Sequence, residues 1–126
     1  MKTQESAENY LETILMLGQD GRRVRSIDIV NRLDYAKPSV SVAMKHLRAA
    51  GRIETDAEGY ITLTGSGRKI AETMYERHMM ISDWLISLGV GKETAVNDAC
   101  RMEHVMSEES FLAVKGHIEE GKKYAE

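Results

Sequence analysis

Between Arg52 and Leu63 the hydrophobic period changes, and little else that this chain could fold into survives the change. Upstream and downstream, apolar residues recur every three or four positions, as on the buried side of a helix. In Arg52-Ile-Glu-Thr-Asp56 and again in Tyr60-Ile-Thr-Leu63 they alternate with polar ones, as in strands with one face covered. Ala57-Glu58-Gly59 separates the two runs, and Gly59 can take a positive φ. The spacing predicts a β-hairpin set into a helical chain.

The helices before it are short. Ser6 to Leu17 carries the stripe Tyr10, Leu11, Ile14, Leu15 and Leu17, with Ser6 as expected N-cap and Gly18 to Gly21 as the stop. Ser26 to Leu33 carries Ile29 with Leu33 at i, i+4 and Ile27 with Val30 at i, i+3, and Ser26 is the expected cap. Pro38 opens a third helix, where its missing N–H costs nothing, and Gly51 ends it. Val40, Met44 and Leu47 form its buried stripe, leaving Ser39, Ser41, Val42, Lys45 and Arg48 on other faces.

Charge singles out the same region. From Gly21 to Arg52 there are eight basic residues (Arg22, Arg23, Arg25, Arg32, Lys37, Lys45, Arg48, Arg52) against Asp28 and Asp34, a balance of 8 − 2 = +6. The whole chain carries −3, so the remainder carries −9. A basic segment on an acidic chain points to a nucleic-acid footprint on one part only, although a solvated face is the commoner cause of a charge cluster by itself. Two short helices, a basic third helix and a hairpin make a winged helix-turn-helix, whose third helix enters the major groove. The candidate DNA contacts are Arg25, Lys37, Pro38, Ser39, Ser41, Val42, Lys45 and Arg48.

Downstream, Thr64 caps a long helix from Gly65 to about Leu88, and Gly89-Val-Gly91 ends it. A fifth helix runs from Lys92 to about Met106, and Ser107 caps a sixth, with Glu108 and Glu109 in its first turn. The fold class is therefore mainly α: a winged helix-turn-helix over residues 1–64, then an all-helical domain over 65–126.

The fifth helix holds Cys100, Glu103 and His104. Spacings of three and four put a sulfur, a carboxylate and an imidazole on one helix face, a donor set that suits a divalent transition metal. Taken alone, the cluster is better explained by a buried cysteine beside a solvated Glu-His pair. Asn9 and Glu12 likewise share a face of the first helix, and a solvated edge explains them as well as ligation does.

The sequence resembles the diphtheria-toxin-repressor and manganese-transport-regulator family of metal-dependent transcriptional repressors. SAENYLETIL, VRSIDIVNRLDYAKPSVSVAMKHLRAAGRI, GYITLTGSGRKIA, YERHMMISDWLISLGV and NDACRMEHVMS carry the likeness, in the family's order and spacing. The resemblance implies a helical domain that both dimerises and binds metal. It assigns ligand positions to Cys100, Glu103, His104, His78 and Glu12, and to Asn9, which stands where Asp or Met is usual. Metal bridging the first helix to the fifth would then set the relation of the two halves. Thiolate and imidazole disfavour Mn(II), so Fe(II) is expected ahead of Mn(II), and Zn(II), Co(II) or Ni(II) are expected to bind in vitro. The SH3-like domain of the iron branch is not expected, since the sequence stops at Glu126.

The expected protein is a cytoplasmic homodimer on a double-stranded, palindromic operator, with Trp84, Leu85, Leu88 and Val90 as candidates for the interface or, equally, for the core. Neither a membrane-spanning apolar run nor a signal peptide is expected from the sequence. A metal-independent winged-helix regulator is the rival reading. A small metalloenzyme or metal store is disfavoured, because no HExxH, nucleophile-base pair or phosphate loop occurs.

Overall fold

The computed structural model describes residues 3–124. Six helices and one two-stranded antiparallel sheet follow in the order α1 (Thr3–Leu17), α2 (Ser26–Leu33), α3 (Lys37–Ala49), β1 (Ile53–Thr55), β2 (Ile61–Leu63), α4 (Gly65–Ser87), α5 (Lys92–Val105) and α6 (Glu108–Tyr124). The chain divides into two compact units, residues 1–74 and 75–126. The division falls inside α4, because Ala71 packs into the core of the first unit.

In the first unit, α1, α2, α3 and the hairpin enclose Tyr10, Leu11, Ile14, Val24, Ile29, Val40, Met44, Leu47, Ile53 and Ile61. All but Val24 lie on the helical stripes or the strand alternation, but of the other stripe residues Leu15, Leu17, Val30 and Leu33 are half-buried and Ile27 is exposed. Val24 forms a bridge to Ile61, whose N–H donates to the Val24 carbonyl at 2.7 Å. The segment before α2 therefore runs beside β2 in place of a free loop. Its alternation puts Val24 in the core and leaves Arg23 and Arg25 exposed.

The hairpin pairs Ile53 with Leu63, Glu54 with Thr62 and Thr55 with Ile61. Gly59 takes φ +88° in the turn, as its lack of a Cβ allows, and the Asp56 carboxylate accepts from the N–H groups of Glu58 and Tyr60. Thr64 caps α4 as expected, its hydroxyl accepting from the Gly67 N–H at 3.2 Å. Gly67 lies against the Arg52 carbonyl so closely that a Cβ there would be 1.9 Å from the oxygen.

Two expected caps are corrected. Helix α1 begins at Thr3, so Ser6 lies inside it and caps nothing. At α2 the N-cap is Arg25, not Ser26. The Asp28 carboxylate three residues on accepts from the Arg25 N–H at 2.8 Å and satisfies the helix start from within. Helix α2 ends on Asp34 in the left-handed conformation (φ +56°), which a short polar side chain tolerates.

The second unit buries Ile81, Ser82, Ala95, Ala99, Glu103 and Phe111, together with Arg77. Ser107 caps α6, its hydroxyl accepting from the Ser110 N–H at 3.0 Å. Lys115 on α6 donates to Glu76 on α4 at 2.7 Å. Among the described residues, no helix is long and apolar enough to cross a membrane.

Candidate metal centre and nucleic-acid face

The second unit places a carboxylate where water cannot reach it. Glu103 is 0% exposed, and each of its oxygens is faced by an imidazole nitrogen. His78 Nδ1, from α4, lies 3.1 Å from Oε2. His104 Nε2, from the next position on α5, lies 3.2 Å from Oε1. The His78 and His104 side chains are 14% and 6% exposed. A charge moved out of water is unfavourable unless it is paired or coordinates a metal. A dry carboxylate with an imidazole nitrogen at each oxygen offers donor types that iron, zinc and nickel accept.

Arg77 holds this cluster from behind. Its Nη1 donates to the Glu103 carbonyl at 3.1 Å and to the Met106 carbonyl at 2.7 Å, and its guanidinium stands 5.0 Å over the Phe111 ring. The last carbonyls of a helix lack partners within it, and the negative end of its dipole favours a cation. Arg77 thus satisfies the end of α5 on the turn that carries Glu103 and His104. It was not singled out from the sequence, where the signal was a basic residue next to His78 on the buried side of a long helix.

The bland reading of the α5 cluster is inverted. Cys100 is exposed and Glu103 is buried, so the side chain taken as core is outside and the one taken as solvated is inside. The structure brings together Glu103, His104 and His78. Cys100 shares α5 with Glu103 and His104, one turn before Glu103. Glu12 and Asn9 belong to α1 in the first unit, where Glu12 is buried and the Asn9 carbonyl accepts from the Thr13 hydroxyl at 2.8 Å.

In the first unit α3 turns Lys37, Pro38, Ser39, Ser41, Val42, Lys45 and Arg48 outward, all exposed, while Val40, Met44 and Leu47 are buried. Arg48 is tied to the hairpin by a 3.3 Å bond to the Thr55 hydroxyl. Arg25 stacks on Tyr60, its guanidinium 4.3 Å from the ring centre, and Arg23 stacks on the same ring at 3.6 Å and reaches Asp56 at 3.5 Å. Arg23 and Tyr60 were missed as a pair. The signal was the apolar-polar alternation through Arg23, Val24 and Arg25, hidden inside a run of basic residues.

Two family profiles match successive parts of the chain. Residues 2–60 match the iron dependent repressor N-terminal DNA binding domain, and residues 64–126 match the iron dependent repressor metal binding and dimerisation domain. The chain belongs to the iron dependent repressor family. The transcriptional regulator MntR of Escherichia coli is 35% identical over 111 residues, 88% of this chain and 72% of that protein. The iron-dependent repressor IdeR of Mycobacterium tuberculosis is 31% identical over 106 residues, 83% of this chain and 46% of that protein.

Solved structures of similar fold include a manganese-dependent transcriptional repressor in complex with manganese (TM-score 0.81, 24% identity, 88% of this chain). IdeR of T. acidophilum also superposes (TM-score 0.73, 26% identity, 88% of this chain). The chain spans 51% of the first of these and 53% of the second, about half of each. A relative named for iron and a structure of similar fold named for manganese thus both appear among the matches.

Proposed function

We propose that this chain is a metal-activated DNA-binding repressor of transcription that controls metal-homeostasis genes, with Fe(II) preferred over Mn(II). The observation that carries the reading is the buried Glu103 carboxylate with an imidazole nitrogen at each oxygen. A divalent cation is a counter-charge suited to a carboxylate held between two imidazoles in a dry site. Glu103, His104 and His78 are the residues that would hold it. The likeness to the family adds Cys100, Glu12 and Asn9 as further ligands. A thiolate at Cys100 favours Fe(II) over Mn(II), the hardest and weakest binder among the candidates.

Helix α3 supplies the DNA reader. Its outward residues Pro38, Ser39, Ser41, Val42 and Lys45 meet base edges, while Lys37, Arg48 and Arg25 sit at the phosphates. The protein acts as a homodimer in the cytoplasm, on a palindromic operator that mirrors its two-fold axis. Leu88, 65% exposed at the end of α4, supports an interface in the second unit. The role is regulatory rather than enzymatic.

The deciding experiment is anaerobic DNA binding titrated with Fe(II), Mn(II), Zn(II) and Co(II). Affinity should rise at least about tenfold with Fe(II) or Mn(II), equivalent to about 1.4 kcal/mol of bias toward the binding state. His104→Ala and Cys100→Ala should abolish the rise. Binding that chelators leave unchanged would instead mark a metal-independent regulator.

A further inference from the structure

Val42 is an apolar side chain in a polar place. At about 100° per residue, two positions from Val40 and two from Met44 is roughly 200° either way, so Val42 points opposite the buried stripe of α3. It is 55% exposed. It lines an open groove with Ala7, Tyr10, Pro38, Ala43 and Leu47 and still presents most of its surface to solvent. Around it stand Ser39, Ser41 and Lys45, all exposed and all able to hydrogen-bond. Large exposed apolar residues elsewhere in the first unit are confined to Ile27 on α2, among the described residues.

The major groove offers such a side chain one kind of partner. Each base pair presents donors and acceptors there, and only thymine adds an apolar group, its C5-methyl. Serine hydroxyls accept or donate to several bases and discriminate poorly by themselves. Valine cannot hydrogen-bond at all, and being β-branched it holds one χ1 rotamer in a helix, so little entropy is lost when it docks. The geometry points to Val42 as a specificity-determining residue that reads the C5-methyl of a thymine. This rests on the reading of α3 as the DNA-contacting helix.

The test separates the two claims. The full chain, loaded with Mn(II), is used to select duplexes from a random-sequence pool. Each thymine of the selected duplex is then replaced in turn by deoxyuridine, which removes one methyl and no hydrogen bond. One thymine per half-site should lose about 4-fold in affinity on replacement, the worth of one buried methyl. With Val42→Ala that loss should shrink, while other positions keep theirs. Each loss is the ratio of two duplexes bound by the same protein, so a change in the folded fraction of Val42→Ala cancels. Selection that succeeds but yields only neutral uridine replacements overturns the role of Val42 and leaves the DNA reading intact. A loss of equal size in Val42→Ala does the same. Failure to select any duplex overturns both.

Discussion

His78 Nδ1 and Glu103 Oε2 lie 3.1 Å apart, from two different helices of the second unit, and the other carboxylate oxygen faces His104 at 3.2 Å. This relationship makes α4 and α5 a single device.

Glu103→Gln preserves the shape of the site and removes its charge. Wild-type protein should gain about 2.7 kcal/mol of stability at a metal concentration about a hundred times its dissociation constant. The Glu103→Gln variant should gain almost none, because a neutral amide is a poor ligand for the same cation. Thermal melts with and without Mn(II) measure both. A metal-dependent rise of equal size in the variant would remove Glu103 from the site.

Arg77 joins the metal cluster to the end of α5 through two carbonyls. Arg77→Ala should cost about 2–4 kcal/mol in urea unfolding, from two charge-assisted hydrogen bonds and the contact with Phe111. Arg77→Lys, which keeps the charge but lacks the planar fork, should recover only part of the loss. A cost below about 0.5 kcal/mol would show that solvent replaces the guanidinium without penalty.

Two glycines in helices should respond to alanine with opposite signs. Gly67→Ala puts a Cβ 1.9 Å from the Arg52 oxygen, a backbone atom that cannot swing aside. It should cost about 3 kcal/mol or more. Gly116, inside α6, has open space at its Cβ position. Gly116→Ala should stabilise by about 0.5–1 kcal/mol through helix propensity. Melting temperatures of the two variants provide the comparison.

Tyr10 packs edge-on against Tyr35, ring centres 5.9 Å apart. Burial, and then the neighbouring Tyr35, push its phenol above the ordinary 10.0. The folded state therefore favours the neutral phenol. Stability should be level below about pH 10 as far as this group is concerned, and should fall as pH rises from there toward the folded value, because the unfolded chain releases the proton first. In Tyr10→Phe the alkaline fall should be smaller. Urea midpoints measured across that range check the sign.

Much of the first unit was legible in the chain. The change of period at Arg52 located the hairpin, and the core is drawn from residues at helical spacing in α1, α2 and α3, although Ile27 of that set is exposed. The segment before α2 was not legible as sheet, because one buried valine between two arginines gives a periodic signal too short to separate from a basic loop. The start of α4 was readable from Thr64. The packing of Ala71 into the first core was not, since a long helix shows no break where it passes from one core to the next.

Periodicity and local chemistry by themselves determined the elements, the caps at Thr64 and Ser107, the outward face of α3 and the grouping of Cys100, Glu103 and His104 on one helix. These depend on neighbours a few residues away, which the sequence spells out. Tertiary structure alone decided that Glu103 is buried and Cys100 is exposed, that His78 meets Glu103, and that Arg77 closes the end of α5. Helical spacing tells which side chains share a face. Only the packing of one helix against another tells which of them lose contact with water.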